Sequence, residues 1–298
     1  MLNELIIKTM PLIPKPLIKK VATKYIAGPG LEDAVRVTKN LMQSKGCSTI
    51  DVLGEFVTTK EMALHEKEIC LQVIDAIALN NLDSYPSLKP TSLGMGIDFN
   101  FGYDNIKELV AKANEKGMQI CIDMENSPYT TQTLDLFRKL KSEGMDNVGI
   151  VIQAYMRRSF DDIDSVAGLK PFVRLCKGIY REPADVAFQS KEEVRGNYKK
   201  LLRQLFDKGL YVGIATHDEP LIKDALEFLN SNKIGHDAYE FQMLLGVREH
   251  RRQELLKEGH RLRVYVPFGE DWYGYATRRL KENPEVAGQI FKAMFFKN

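Results

Sequence analysis

Short apolar runs rich in β-branched residues alternate along this chain with longer segments of helical periodicity, and few folds accommodate that pattern. The runs are Thr49–Val57, Ser87–Leu93, Gln119–Asp123, Val148–Ala154, Pro171–Cys176, Tyr211–Thr216, Tyr239–Leu245 and Leu262–Val266. Between them, Lys60–Asn80, Asn105–Lys116, Thr130–Glu143, Lys191–Lys208, Pro220–Asn230 and Val247–Lys257 read as helices. Strands that alternate with helices pair in parallel. Eight such units in one chain of 298 residues predict a closed (β/α)8 barrel. A doubly wound sheet is the alternative. Its Gly-rich phosphate turn is missing, because Gly28/Gly30 and Gly94/Gly96 do not form GxGxxG.

Composition narrows the function classes. With 42 basic against 40 acidic residues the formal charge is +2, so no nucleic-acid partner is expected. Cys47, Cys70, Cys121 and Cys176 are scattered without metal-ligand spacing. They predict a reduced, cytoplasmic protein. No cleavable signal pattern and no apolar run long enough to span a bilayer is read. The expected division is an N-terminal helical segment over 1–45 and a catalytic barrel over 46–298. Residues 1–27 combine apolar side chains with Lys8, Lys15, Lys19, Lys20 and Lys24, broken by Pro11, Pro14 and Pro16. Two readings stay open for this segment: a short helix packed on the barrel, or a basic amphipathic contact with a membrane surface.

In such barrels the chemistry gathers at the C-terminal ends of the strands. Strand by strand the polar residues expected there are Glu55, Lys89, Asp123, Gln153, Arg174 with Lys177, Thr216–His217–Asp218, Glu240 with Gln242, and Tyr265. One such residue could be structural, but polar groups from eight strands at one rim point to a site. Past the last strand, Tyr275, Arg278, Arg279 and Glu282 fall at i, i+3, i+4 and i+7 and share a helix face. A solvated surface helix has the same spacing. The functional reading is a carboxylate clamp, in which two planar forks offer paired donors and Glu282 steadies Arg278. A second cluster, Arg174–Glu182, sets two cations and Tyr180 around Gly178. A flavin needs fixed cations near its anionic phosphates and near the ring that gains charge on reduction. A surface salt-bridge patch is the competing reading.

At these residues the sequence resembles the proline dehydrogenase family in its single-function bacterial form. The matching stretches are Leu53–Glu55, Leu88–Gly94, Asp123–Glu125, Ile152–Tyr155, Arg174–Glu182, Ala215–Asp218, Glu240–Gly246 and Tyr265–Pro284. They keep the family's order, and their combination is specific although each is weak alone. The resemblance implies a distorted (βα)8 barrel of TIM type that binds FAD and carries its last helix over the mouth. It implies oxidation of L-proline to Δ1-pyrroline-5-carboxylate by hydride transfer to flavin N5, with a membrane quinone as acceptor; a peripheral contact of the basic N-terminal segment with the inner face of the membrane is compatible with that acceptor. By the same resemblance Lys89, Arg278 and Arg279 take the substrate carboxylate, and Asp123, Tyr265 and Tyr275 wall the pocket. Tyr180 gates or walls it, and Glu55 meets Arg278 as an ionic lid. Arg174 stands near flavin N5, with Gln153, Lys177, Gly178, Thr216, His217 and Glu240 as further FAD contacts. Cys176 and Leu245 depart from the residues common there, and Asp218 stands where relatives often carry asparagine and receives no role. Another flavin-dependent barrel, such as a methylenetetrahydrofolate-reductase-like protein, is the runner-up, and a non-catalytic flavin or proline binder is the reading from a different class. The adjacent Arg278 and Arg279 favour a small carboxylate substrate over the former.

Overall fold

The computed structural model describes residues 23–282, with side chains to Thr277. The expectations for the first 22 residues, including the membrane contact, lie outside the described residues. Eight strands close a barrel in chain order: β1 Cys47–Val52, β2 Ser84–Leu88, β3 Ile120–Ile122, β4 Val148–Gln153, β5 Phe172–Cys176, β6 Tyr211–Ala215, β7 Tyr239–Leu244 and β8 Leu262–Phe268. All pairings are parallel, and closure is made by β1 against β8 from Cys47↔Arg263 to Val52↔Phe268. Helices follow the strands: α1 Leu31–Gln43 precedes β1, then come α2 Lys60–Leu79, α3 Phe99–Glu115, α4 Ser127–Ser142, α5 Ser159–Ala167, α6 Lys191–Asp207, α7 Glu219–Ser231, α8 Glu249–Lys257 and α9 Trp272–Glu282. No described helix is long and apolar enough to cross a membrane.

Local chemistry starts these helices where they start. The Thr59 side chain accepts the Met62 N–H ahead of α2, and the Asp98 side chain accepts the Phe101 N–H ahead of α3. Ser190 and Glu193 form a capping box on α6. Pro128 and Pro220 fall in the first turns of α4 and α7, where no N–H is needed. The apolar core lies between barrel and helices. Strand residues that point outward, such as Ile50, Leu88, Ile150, Val173, Ile214, Phe241 and Val264, are sealed from solvent. Burying each such side chain contributes about 1.5–3 kcal/mol.

The strand limits differ from expectation where proline and the rim intervene. β1 stops at Val52, and Leu53–Val57 leave the sheet as a rim loop with Phe56 at φ 56°. β2 spans Ser84–Leu88, beginning three residues ahead of the expected Ser87 and taking in Pro86. Its pairing with β3 starts only at Ser87, so the missing Pro86 N–H costs no bond on that side. β8 runs on through Pro267 to Phe268. α3 starts at Phe99, six residues ahead of the expected Asn105, under the Asp98 cap.

Candidate active site

Side chains that alternate with the apolar outer face point into the barrel, and beside a few apolar ones such as Val151 and Phe172 many of them are polar. At the base, the Arg263 guanidinium donates to Glu240 from Nε (2.6 Å) and Nη2 (3.1 Å) and to the Ser48 carbonyl (2.6 Å). Glu240 also accepts from Gln242 Nε2 at 2.7 Å. Gln242 in turn accepts from Arg174 Nε at 2.9 Å. Arg174 Nη1 then donates to Asp123 at 2.6 Å. Asp123 takes two more bonds, from Ser87 Oγ (2.7 Å) and Tyr265 Oη (2.9 Å). One column of hydrogen bonds therefore climbs from the barrel floor to the strand ends. Gly213 makes room for it, since a Cβ there would sit 2.5 Å from Gln242 Nε2.

The upper part of this column is where the expected residues meet. Arg174 is 7% exposed, and its guanidinium lies 4.9 Å from the Tyr265 ring centre. Lys89 bonds to Asp51 and faces Asp123. Burial presses the Lys89 ammonium toward neutrality, but the carboxylates of Asp51 and Asp123 outweigh it and its pKa rises. Burial raises the Asp51 pKa, against the pull of Lys89. The Tyr265 hydroxyl is also pushed up, first by burial and then by Asp123. Tyr275, on α9, is 7% exposed and acts on the Tyr265 hydroxyl, so α9 reaches the barrel mouth. Arg278, Arg279 and Glu282 follow on α9, and their side chains lie outside the described residues.

The other rim residues form two groups. Tyr180 Oη donates to Glu55 Oε2 at 3.4 Å, which joins the loops after β5 and β1 across the mouth. Lys177 Nζ donates to Asp218 at 3.1 Å, and Asp218 also accepts from Arg195 Nε (3.1 Å) and Nη2 (2.9 Å). Asp218, given no role by resemblance, thus orients Lys177. Thr216 Oγ1 accepts the Asp218 N–H at 3.1 Å. His217 Nε2 accepts the Leu244 N–H at 2.8 Å, so this nitrogen is unprotonated and ties the end of β6 to that of β7. Gly178 sits at φ 100°, and a Cβ there would meet the Tyr155 ring at 2.1 Å, so only glycine fits. Gln153 Nε2 donates to the Met124 carbonyl at 3.0 Å.

Glu240 requires a correction in position. It was expected at the rim, but it is the second residue of β7 and is 1% exposed at the base of the column. Its carboxylate serves Arg263, Arg261 and Tyr211. Burial raises its pKa, yet Arg263 outweighs that and holds it below the ordinary carboxylate value. A depressed pKa contributes stability that is complete above the unfolded value of about 4.3 and is lost as pH falls through the folded value. Glu240→Gln is therefore expected to lower the unfolding free energy by about 3 kcal/mol at neutral pH. Urea titration should show that loss shrinking in acid.

Three members of this network were not singled out from sequence: Asp51, Ser87 and Arg263. Asp51 and Ser87 sit at inward positions of β1 and β2, opposite one another in register. The period-two alternation marks them once the strands are placed. No group of His, Cys, Asp and Glu suited to a metal ion occurs among the described residues.

With this geometry in place, comparison with known proteins decides the family. The sequence model described as "Proline dehydrogenase" matches residues 34–292. The chain belongs to the proline dehydrogenase family. It is 41% identical over 274 residues to "Proline dehydrogenase 2" of Bacillus subtilis (strain 168), covering 92% of this chain and 90% of that one. It is 38% identical over 278 residues to "Proline dehydrogenase" of Deinococcus radiodurans, again covering 92% and 90%. Among solved structures it resembles proline utilization A (PutA) of Bdellovibrio bacteriovorus inactivated by N-propargylglycine, with a TM-score of 0.84 and 25% identity over 89% of this chain. The chain spans 33% of that much longer protein, whose other parts have no counterpart in the match. Proline dehydrogenase is thus the enzyme class of this chain, on a closed eight-stranded parallel barrel.

Proposed function

We propose that the protein binds FAD in the barrel mouth and oxidises L-proline to Δ1-pyrroline-5-carboxylate. The observation that carries this reading is the Arg174–Asp123–Tyr265 constellation, with Lys89 beside it. Bound FAD supplies the hydride acceptor that no side chain can provide. The residues present fit such a group. Arg174 Nη2 and Gln153 Oε1 are buried without a partner among the described residues, leaving one donor and one acceptor for a bound molecule. Lys177, whose side chain is 41% exposed, can offer its ammonium to an anionic part of the same ligand. Arg174, Gln153, Lys177 and Thr216 would hold FAD. Gly178 and His217 would shape the site around it, while Glu240 would act from below by fixing the column under Arg174.

Lys89, Arg278 and Arg279 would take the proline carboxylate. The ring amine must be neutral before the neighbouring C–H bond can release hydride. Cations at the carboxylate and at Arg174 disfavour a second positive charge on that nitrogen and lower its pKa. Tyr265 and Tyr275 wall the pocket and keep water out, and Asp123 fixes both Arg174 and Tyr265. Tyr180 and Glu55 lie across the mouth, where Glu55 would meet Arg278 when substrate is bound. Electrons would pass on to a membrane quinone, with peripheral contact at the inner face of the membrane. Turnover with vesicle-embedded quinone, compared with turnover on a soluble dye, reads that last step.

The test is to purify the protein, identify the flavin it releases on denaturation, and assay proline-dependent dye reduction. Release of FAD together with turnover supports the reading, and a flavin-free protein that binds proline without turnover contradicts it. Arg279→Met is expected to raise the proline KM by roughly 30- to 150-fold, for a loss of about 2–3 kcal/mol. FAD content should stay at the parental level, and an unchanged KM would remove Arg279 from the carboxylate site.

A further inference from the structure

Glu125 is a buried carboxylate that the chemistry above does not use. It is 1% exposed, just beyond Asp123 and Met124 at the end of β3. Its oxygens accept from Thr91 twice: the Thr91 N–H at 2.8 Å and the Thr91 hydroxyl. Thr91 is itself 1% exposed. The same Thr91 Oγ1 accepts the N–H of Phe56 at 3.0 Å. Phe56 has a left-handed backbone that a bulky residue rarely adopts, and it directly follows Glu55. A conformation of that kind persists only when its surroundings hold it. The Phe56 ring adds little, being 40% exposed and 6.2 Å between centroids from Tyr129.

We infer that Glu125 is a positioning residue of this active site: through the Thr91 hydroxyl it fixes the backbone at Phe56 and so sets where Glu55 stands at the mouth. The inference rests on reading that mouth as the proline entrance. Its chemistry is directional. A carboxylate accepts the Thr91 proton, which leaves the Thr91 oxygen free for the Phe56 N–H and polarises it as an acceptor. A protonated Glu125 would offer its own proton to that oxygen and compete with Phe56. Burial pushes the Glu125 pKa up to about 7, against the lowering by Thr91 and by Lys89 at the end of β2, and with Glu55 of the rim loop adding to the rise. The grip on Phe56 should therefore tighten as pH rises through neutrality.

Amide exchange at Phe56, corrected for intrinsic rate, tests this without turnover. It would be followed between about pH 6 and about pH 8, on either side of that titration, in the parent, Thr91→Val, Thr91→Ser and Glu125→Gln proteins. The expected result is about tenfold faster exchange at Phe56 in Thr91→Val and Glu125→Gln, as for loss of one net hydrogen bond. Thr91→Ser should match the parent, and amides in β5 and β6 should not change in any variant. The parental pH dependence should vanish in Glu125→Gln, and the proline KM should rise more than kcat falls. Unchanged Phe56 exchange in Thr91→Val, or equal acceleration throughout the barrel, overturns the proposal. Loosening at Phe56 with an unchanged KM overturns the link to the active site. If Glu125→Gln does not fold, Thr91→Val and Thr91→Ser decide. A parent protein that does not turn over proline would contradict the functional reading while leaving the exchange result to stand or fall by itself.

Discussion

Asp123→Asn is expected to lower proline turnover by about 10³-fold, a loss near 4 kcal/mol. Asp123 gathers three donors at once: Arg174, Ser87 and Tyr265. An amide offers one acceptor oxygen, so either Arg174 and Ser87 face an NH2 group or the Tyr265 bond must reverse, with its hydroxyl accepting. The larger effect is on charge. The Arg174 side chain is 9% exposed, and Asp123 is the carboxylate bonded to it. Removing a partner from a buried pair leaves a charge that the interior solvates poorly. The guanidinium and the Tyr265 ring should then drift from the pocket together. Stopped-flow measurement of flavin reduction, with FAD content measured in parallel, separates lost chemistry from lost cofactor. A rate within threefold of the parent, roughly 0.7 kcal/mol, would remove Asp123 from the centre of the site.

Arg174→Met is expected to slow flavin reduction by about 10²–10³-fold, in line with removal of one preorganised donor from a site where charge develops. Methionine keeps bulk but carries no charge. With FAD bound as proposed, its potential should become more negative, because a buried cation no longer favours the reduced form. Gln242 and Asp123 would each lose a bond, so a fall in stability should accompany the change. Spectroelectrochemistry measures the potential directly. An unchanged potential together with an unchanged single-turnover rate would place Arg174 in the column as a structural group only.

How far each feature was legible depends on which face of a strand carried it. The barrel could be read because the outer faces are largely apolar, as in Val173/Leu175 and Val212/Ile214, with the hydroxyls of Ser48 and Ser84 the exception. The inner faces carry isolated polar residues whose depth cannot be read from a single strand. Glu240 and Gln242 lie two positions apart in β7, and only register with β8 sets Glu240 beside Arg261 and Arg263 at the floor. Asp51 was hidden because its run continues toward Glu55, so the strand was extended to Val57 and the rim misplaced by several residues. Glu125 was passed over because its partner, Thr91, lies in a different βα loop. Tyr275 was legible because helical spacing alone puts it on the face of Arg278 and Arg279. The fold then had to bring α9 to the mouth, and Tyr275 near Tyr265 places it there.

The most direct measurement of the central claim is an anaerobic titration of the purified, FAD-loaded protein with L-proline, followed through the visible flavin band. The account predicts bleaching in proportion to added proline, with one Δ1-pyrroline-5-carboxylate formed per flavin reduced. A fully loaded protein whose flavin band stays unchanged under excess proline would contradict it.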